Sequence, residues 1–279
     1  MDLVASSAEA HALIEKVKRG GAALGTNFFL PEAALERAVL AGEMAKVESY
    51  GSVVLVKREE MFHRVYYAAV SPASATEALR KVPAPVLVAD LVGRPVDIEA
   101  WASAFIEAGF DVYTRFQRML RIPRPGAAIV EPPDGTLLAG AGHVAEIRDA
   151  IVGHFDAYAE RIPTLEEVRH AVESRAILIA RHGDKLAAIL YFEDQGVSTH
   201  LRYWLAMPAF RGCGYAHMLM LRYLYEHHGF RRFVLWVEKS NIRAIPLYER
   251  YGYSRDGVED IILRKPAAQK RVLSRNSWK

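Results

Sequence analysis

The chain has 279 residues, 51% of them apolar and 25% charged, a single cysteine (Cys213) and a formal net charge of +3. That length suits two domains, the apolar share excludes a chain disordered throughout, and one cysteine excludes an internal disulfide framework or a cysteine-rich metal site. Six basic residues and no acid stand from Arg264 onward, leaving −3 for the rest, so residues 267–279 are set apart as a basic tail and read as a solvated terminus in preference to a nucleic-acid arm. No run approaches the roughly 20 apolar residues of a membrane span. The first residues carry charges where a signal peptide needs an apolar core, so a cytoplasmic protein without membrane contact is expected.

In chain order, the spacing of Ala, Leu, Glu and Lys predicts helices over 9–19 and 32–48. Ser52 to Val56 and His63 to Val70 read as paired strands, and Val86 to Asp90 as a short apolar one. Asp97 is expected to cap a helix that Gly109 ends, and Asp111 to Arg121 to form two short strands. Residues 122–135, rich in Pro and Gly, are the linker candidate. Helices are then predicted near 143–155 and 163–173, and a hairpin of Ala176 to Ala180 with Lys185 to Phe192 turning at Gly183-Asp184. A strand follows from His200 to Met207. The helix from Gly214 to about His228 is expected to turn Met218, Leu221 and Leu224 or Tyr225 inward. Phe233 to Val237 is a fully apolar strand, a helix follows to Tyr251, and Ile261 to Leu263 closes the sheet.

One comparison suggests an internal duplication, with an unrelated α/β cap as the alternative for the first half. Ala108-Gly109-Phe110, followed by strand residues ending in Met119-Leu120-Arg121, parallels Tyr251-Gly252-Tyr253 followed by Ile262-Leu263-Arg264. Aligning Gly109 with Gly252 sets Phe105 opposite Tyr248. Where the second half has Arg211-Gly212-Cys213-Gly214-Tyr215-Ala216 after a strand, the first has Ser71-Pro72-Ala73-Ser74.

The stretch from Ala206 to Ala216 is a strand, a glycine turn and the first turn of an amphipathic helix. Such a junction leaves main-chain N–H groups bare, and bare N–H groups at a helix start bind phosphate oxygens. The pattern Arg211-x-x-Gly214-x-Ala216 is followed about 25 residues later by Asn241, Ala244, Ile245, Leu247, Tyr248, Glu249, Gly252 and Tyr253. Together the two resemble the signatures of the GNAT family of acyl-CoA-dependent N-acetyltransferases. The resemblance is strong over roughly 175–264, weaker over 136–174 and architectural before that.

The resemblance implies an α/β fold, a mixed sheet flanked by helices, in two tandem halves: 1–125 a degenerate GNAT-like domain or a capping domain, and 136–266 the catalytic domain. It implies acetyl-CoA or another acyl-CoA as donor and no metal. The pantetheine arm would run along Leu205, Ala206 and Met207. The diphosphate would sit on the N–H groups of Arg211, Gly212, Gly214, Tyr215 and Ala216, with Asn241 also touching the donor. Tyr248 would protonate the departing thiolate. For the base that takes the amine proton, His200 is put forward, with Glu193 and Asp194 as rivals. The acceptor, a small-molecule or peptide amine, would be walled by Phe155, Tyr158, Glu166 and Tyr203 or Trp204. Cys213 is read as a bystander, and His227-His228 as a solvated helix end rather than a metal pair. Pro246 conflicts with a helix beginning at Asn241. A CoA-sensing module without turnover is the rival reading, a carrier-protein or aminoacyl-tRNA donor a third, and a homodimer stays open.

Overall fold

A computed structural model describes residues 1–21, 24–83, 85–124 and 131–267. Most of the basic tail, and residues 125–130 of the linker candidate, lie outside the described residues. The chain forms two compact units, Met1–Thr114 with the stretch from Glu259, and Arg115–Val258.

In chain order the elements are β1 (Asp2–Leu3), α1 (Ser7–Arg19), β2 (Gly25–Thr26), α2 (Glu32–Leu40), β3 (Met44–Ser49), β4 (Ser52–Arg58), β5 (His63–Ala69), α3 (Pro72–Arg80), β6 (Leu87–Gly93), α4 (Pro95–Glu107) and β7 (Asp111–Arg121). There follow β8 (Thr136–Leu138), α5 (Val144–Val152), α6 (Leu165–Glu173), β9 (Ile177–His182), β10 (Lys185–Gln195), β11 (Ser198–Ala206), α7 (Tyr215–Glu226), β12 (Arg232–Glu238), α8 (Ala244–Arg250) and β13 (Ser254–Lys265). Apart from β2, the second series repeats the first element for element.

The first unit's sheet runs β1-β3-β4-β5-β6-β13, antiparallel throughout except where β5 and β6 are parallel. The second unit's sheet runs β8-β9-β10-β11-β12-β7, with β11 and β12 its one parallel pair. Each unit is thus a mixed sheet flanked by helices, the fold class expected. The closing strands are exchanged along the chain. Ile261 to Leu263 pair with β6 in the first unit, and Phe116 to Arg121 of β7 pair with β12 in the second. The division into consecutive halves at 125 and 136 therefore differs from the compact units by one strand each.

Several elements correct the sequence reading. The helix expected over 32–48 stops at Leu40, because Gly42 turns the chain at φ +66° into β3. Ser71-Pro72-Ala73-Ser74 opens a helix, α3. The helix that Asp97 was expected to cap starts two residues earlier, at Pro95. β7 is one strand of 11 residues rather than two short ones. The buried face of α7 is Leu219, Met220 and Tyr223; Met218, Leu221 and Leu224 are half-buried and Tyr225 is exposed.

In the second unit, one face of the sheet packs α7 and α8 through residues such as Leu201, Tyr223, Phe233 and Ile245. The other face packs α5 and α6 through Ile147, Ile151, Val168, Tyr203 and Leu205. Full burial of such side chains contributes about 1.5–3 kcal/mol each before entropy is counted, on both faces of a sheet whose central ladder is interrupted.

Candidate active site

That interruption lies between β11 and β12. They pair in register from Ser198↔Arg232 to Leu201↔Leu235 and no further, although β11 runs on to Ala206 and β12 to Glu238. A bulge at Arg202 breaks the register with β10, Leu201 facing Phe192 while Tyr203 faces Tyr191, and a bulge bends the strand that carries it. Beyond Leu201 the two parallel strands part. Met207 N–H donates to the Ala187 carbonyl at 2.9 Å. Strand alternation therefore turns the main-chain groups of Leu205 and Met207 toward β10 and those of Trp204 and Ala206 toward the opening. Of the three residues expected along the pantetheine arm, Ala206 faces the gap; the other two have their amides directed to β10.

At the end of β11 the chain makes a short turn, Pro208–Phe210, and two left-handed glycines, Gly212 at φ +84° and Gly214 at φ +88°. Gly214 caps α7 without any side-chain hydrogen bond. Among the described residues the N–H groups of Gly212, Gly214, Tyr215 and Ala216 meet no acceptor. Arg211 differs from expectation: its N–H donates to Pro208 O at 3.4 Å, so only its exposed side chain is open to a ligand. Cys213 is exposed, and its N–H is held by Phe210 O. The Tyr215 hydroxyl lies 2.7 Å from His182 Nδ1.

Asn241 sits before α8, its Oδ1 accepting from Ala244 N–H at 3.0 Å. Because α8 begins at Ala244, Pro246 is its third residue, where an N–H would have no helical acceptor. The proline conflict is thereby resolved. Tyr248 is half-buried, its ring centroid 5.5 Å from Trp204 and 6.1 Å from Tyr253. Burial pushes its phenol upward, and its hydroxyl has no hydrogen-bond partner among the described residues. The C-terminus of α8 and that of α4 are built alike. Tyr253 N–H donates to Tyr248 O at 3.2 Å and Phe110 N–H to Phe105 O at 3.0 Å, around glycines at φ +83° and +91°. The sequence alignment of the halves is thus reproduced in hydrogen bonds.

His200 and Glu193 face each other across β11 and β10, on the stretch where β11 is still paired to β12. Burial, with Arg202 and Arg118 nearby, holds the imidazole below its usual range. Glu193 lies 3.6 Å from Arg202, and Asp194 3.4 Å from the buried His227. Phe155 packs on Tyr203 with centroids 4.9 Å apart. Glu166, expected on the acceptor wall, forms an exposed pair with Arg169 one turn along α6. Tyr158 N–H closes a turn on Asp156 Oδ1 at 2.8 Å.

One residue that the sequence reading passed over is Glu160, between α5 and α6. Burial pushes its carboxyl up to about 7, Glu238 and Asp156 adding to the effect and Arg202 opposing it. No local motif marks it; apart from Asp156, its surroundings come from β11 and β12, distant in sequence.

The first unit has the matching features in closed form. β5 and β6 pair only at His63↔Leu87 and Arg64↔Val88. The buried Asn27 side chain then bridges the parted strands, donating to Val65 O at 2.9 Å and Asp90 O at 3.0 Å and accepting from Tyr67 N–H at 2.7 Å. The start of α3 is capped by its own serines, Ser74 N–H donating to Ser71 Oγ and Ser71 N–H to Ser74 Oγ, each at 3.2 Å. The positions that are open in the second unit are occupied by the chain itself in the first.

Among the described residues no group of three His, Cys, Asp or Glu side chains gathers where it could hold a metal, and no helix is long and apolar enough to cross a membrane. His227 and His228 each place Nδ1 2.8 Å from carbonyls of α7, at Tyr223 and Tyr225.

A parted parallel strand pair thus leads into a helix that starts at a glycine with no side-chain cap. Residues 143–253 match the model of the acetyltransferase (GNAT) family. Solved structures agree in fold. A GCN5-related N-acetyltransferase from Sphaerobacter thermophilus superposes with a TM-score of 0.56 at 15% identity, covering 78% of each chain. One from Kribbella flavida gives 0.53 at 20% identity, covering 82% of this chain and 92% of the other. A tandem GNAT protein from the clavulanic acid biosynthesis pathway gives 0.53 at 14% identity, covering 80% and 83%. No curated protein matches the sequence.

Proposed function

We propose that the protein is an N-acyltransferase that moves an acetyl or short acyl group from CoA directly to a primary amine, with its site in the second unit. The observation that carries this reading is the continuity of the β11–β12 opening with the free N–H groups at Gly212, Gly214, Tyr215 and Ala216. Four converging donors at a helix start suit the diphosphate of CoA. The donor supplies an activated acyl group as its thioester, and the protein's residues hold it and move protons.

Ala206 N–H, turned into the opening, is positioned to stabilise negative charge on the acyl oxygen; a donor of this kind lowers the barrier by about 3–4 kcal/mol. Tyr248 stays protonated because desolvation raises its phenol, and so has a proton to give to the departing sulfur. Asn241 fixes the start of α8 and with it the position of Tyr248. The acceptor is a small-molecule or peptide amine reaching the opening from the α5–α6 side. The first unit, its corresponding openings closed by Asn27, Ser71 and Ser74, takes no CoA and acts as a degenerate copy.

The test is acceptor-dependent thiol release from acetyl-CoA across a panel of amines. Release with one or more amines supports transfer. Tight binding of acetyl-CoA with no release from any amine would favour the CoA-sensing alternative, and failure of free CoA to compete would point to a different acyl carrier.

A further inference from the structure

We propose that Glu160 is the general base of the transfer, taking the amine proton at the mouth of the β11–β12 opening; this rests on the acyl-transfer reading above. Glu160 N–H donates to Asp156 O at 2.8 Å, closing a turn. The carbonyl of the next residue, Arg161, accepts a hydrogen bond from the Tyr203 hydroxyl. Tyr203 directly follows the bulge at Arg202, where β11 has just left β12. Glu160 is therefore one residue from a tether to the parted strand.

The groups whose charges act on the Glu160 carboxyl stand on the two strands that part and on its own segment. Arg202 stands on β11, Glu238 ends β12 on the other lip, and Asp156 lies in the same segment. Glu160 in turn acts on the Tyr203 and Tyr248 phenols, the latter being the proposed acid. The base and the acid thus share one electrostatic neighbourhood. Among the described residues nothing takes the Glu160 carboxyl in a hydrogen bond or ion pair, whereas Glu193 and Asp194 are drawn to Arg202 and His227. A partly buried carboxyl raised to about 7 is matched to proton abstraction near neutrality.

The step balances. The amine lone pair forms the C–N bond at the thioester carbonyl and the C–S bond breaks, its electron pair leaving on sulfur. The surplus amine proton passes to the Glu160 carboxylate, and sulfur takes the Tyr248 hydroxyl proton. Water then accepts the proton from Glu160 and returns one to Tyr248.

The experiment uses the full chain, acetyl-CoA and the amine found by the panel. It compares wild type with Glu160→Gln and Glu160→Asp, each first checked for unchanged melting and acetyl-CoA affinity. Expected are a wild-type kcat/KM that rises through a limb near pH 7 and a kcat lowered roughly 100-fold in Glu160→Gln. That variant also loses the limb while its KM for acetyl-CoA is unchanged, and Glu160→Asp restores part of the rate. A carboxyl-carbon NMR titration of the ligand-free protein should show one glutamate titrating near neutrality, absent from Glu160→Gln. A Glu160→Gln enzyme with wild-type kcat and the same limb, or a wild-type protein with no glutamate titrating near neutrality, overturns the assignment while leaving acyl transfer standing. Wild type that releases no thiol with any amine overturns the transfer itself, and the base role with it.

Discussion

Trp204 packs against Tyr248 with ring centroids 5.5 Å apart, on the segment of β11 that has parted from β12. The contact fixes the phenol beside the opening, with its hydroxyl unpartnered among the described residues and its ionisation suppressed by burial. Tyr248→Phe keeps the ring and removes the proton. It should lower kcat roughly 100-fold while leaving CoA affinity as in wild type, measured by steady-state thiol release and by calorimetry. Wild-type kcat in this variant would remove Tyr248 from the acid role.

Gly214 carries a different burden. A Cβ at this position meets no heavy atom within 4 Å, so steric crowding is not what requires glycine; the φ of +88° is. Gly214→Val forces a β-branched residue into the left-handed region at about 1–3 kcal/mol, and it puts methyl groups where the free N–H groups face solvent. CoA affinity should fall at least about tenfold, read by calorimetry. An unaltered dissociation constant would place the diphosphate elsewhere.

The closed first unit predicts one CoA per chain. Asn27 satisfies the groups that a pantetheine arm would otherwise meet between β5 and β6. Calorimetric titration should therefore saturate at a single equivalent. Asn27→Ala should cost about 2–4 kcal/mol of stability by stranding buried main-chain groups, seen as a lower denaturant midpoint. Two equivalents in the wild type would contradict the closed reading.

What the sequence made legible was what neighbouring residues decide. The glycine turn at 212–214, the α8 signature and the repeat around Gly109 and Gly252 are local, and each reappears in the structure. The α7 face was misjudged because Leu, Met and Tyr occur on nearly every side of that helix, so periodicity alone does not choose among them. The exchange of β7 and β13 was not legible, since strand pairing over more than 100 residues leaves no local mark. For the same reason Glu160, one acid in the segment between two helices, could not be told from surface acids until Arg202, Glu238 and Tyr248 were assembled around it.

Asp260 offers a test independent of catalysis. It lies on β13 in the first unit near Asp90 of β6 and the buried Arg64 of β5, and its Oδ1 is buried without a hydrogen-bond partner. Burial and the neighbouring Asp90 raise its folded-state carboxyl well above the usual range, with Arg64 opposing. An acid raised in the folded state binds a proton that the unfolded chain has already lost. Its effect on stability is therefore unfavourable above the ordinary aspartate value of about 3.9 and grows as pH rises toward the folded value. Asp260→Asn holds the site neutral at every pH. Relative to wild type it should show no gain near pH 4 and a gain of about 1–3 kcal/mol near neutrality, measured by denaturant unfolding across that range. A difference that stays flat with pH would mean that folding does not raise the Asp260 carboxyl.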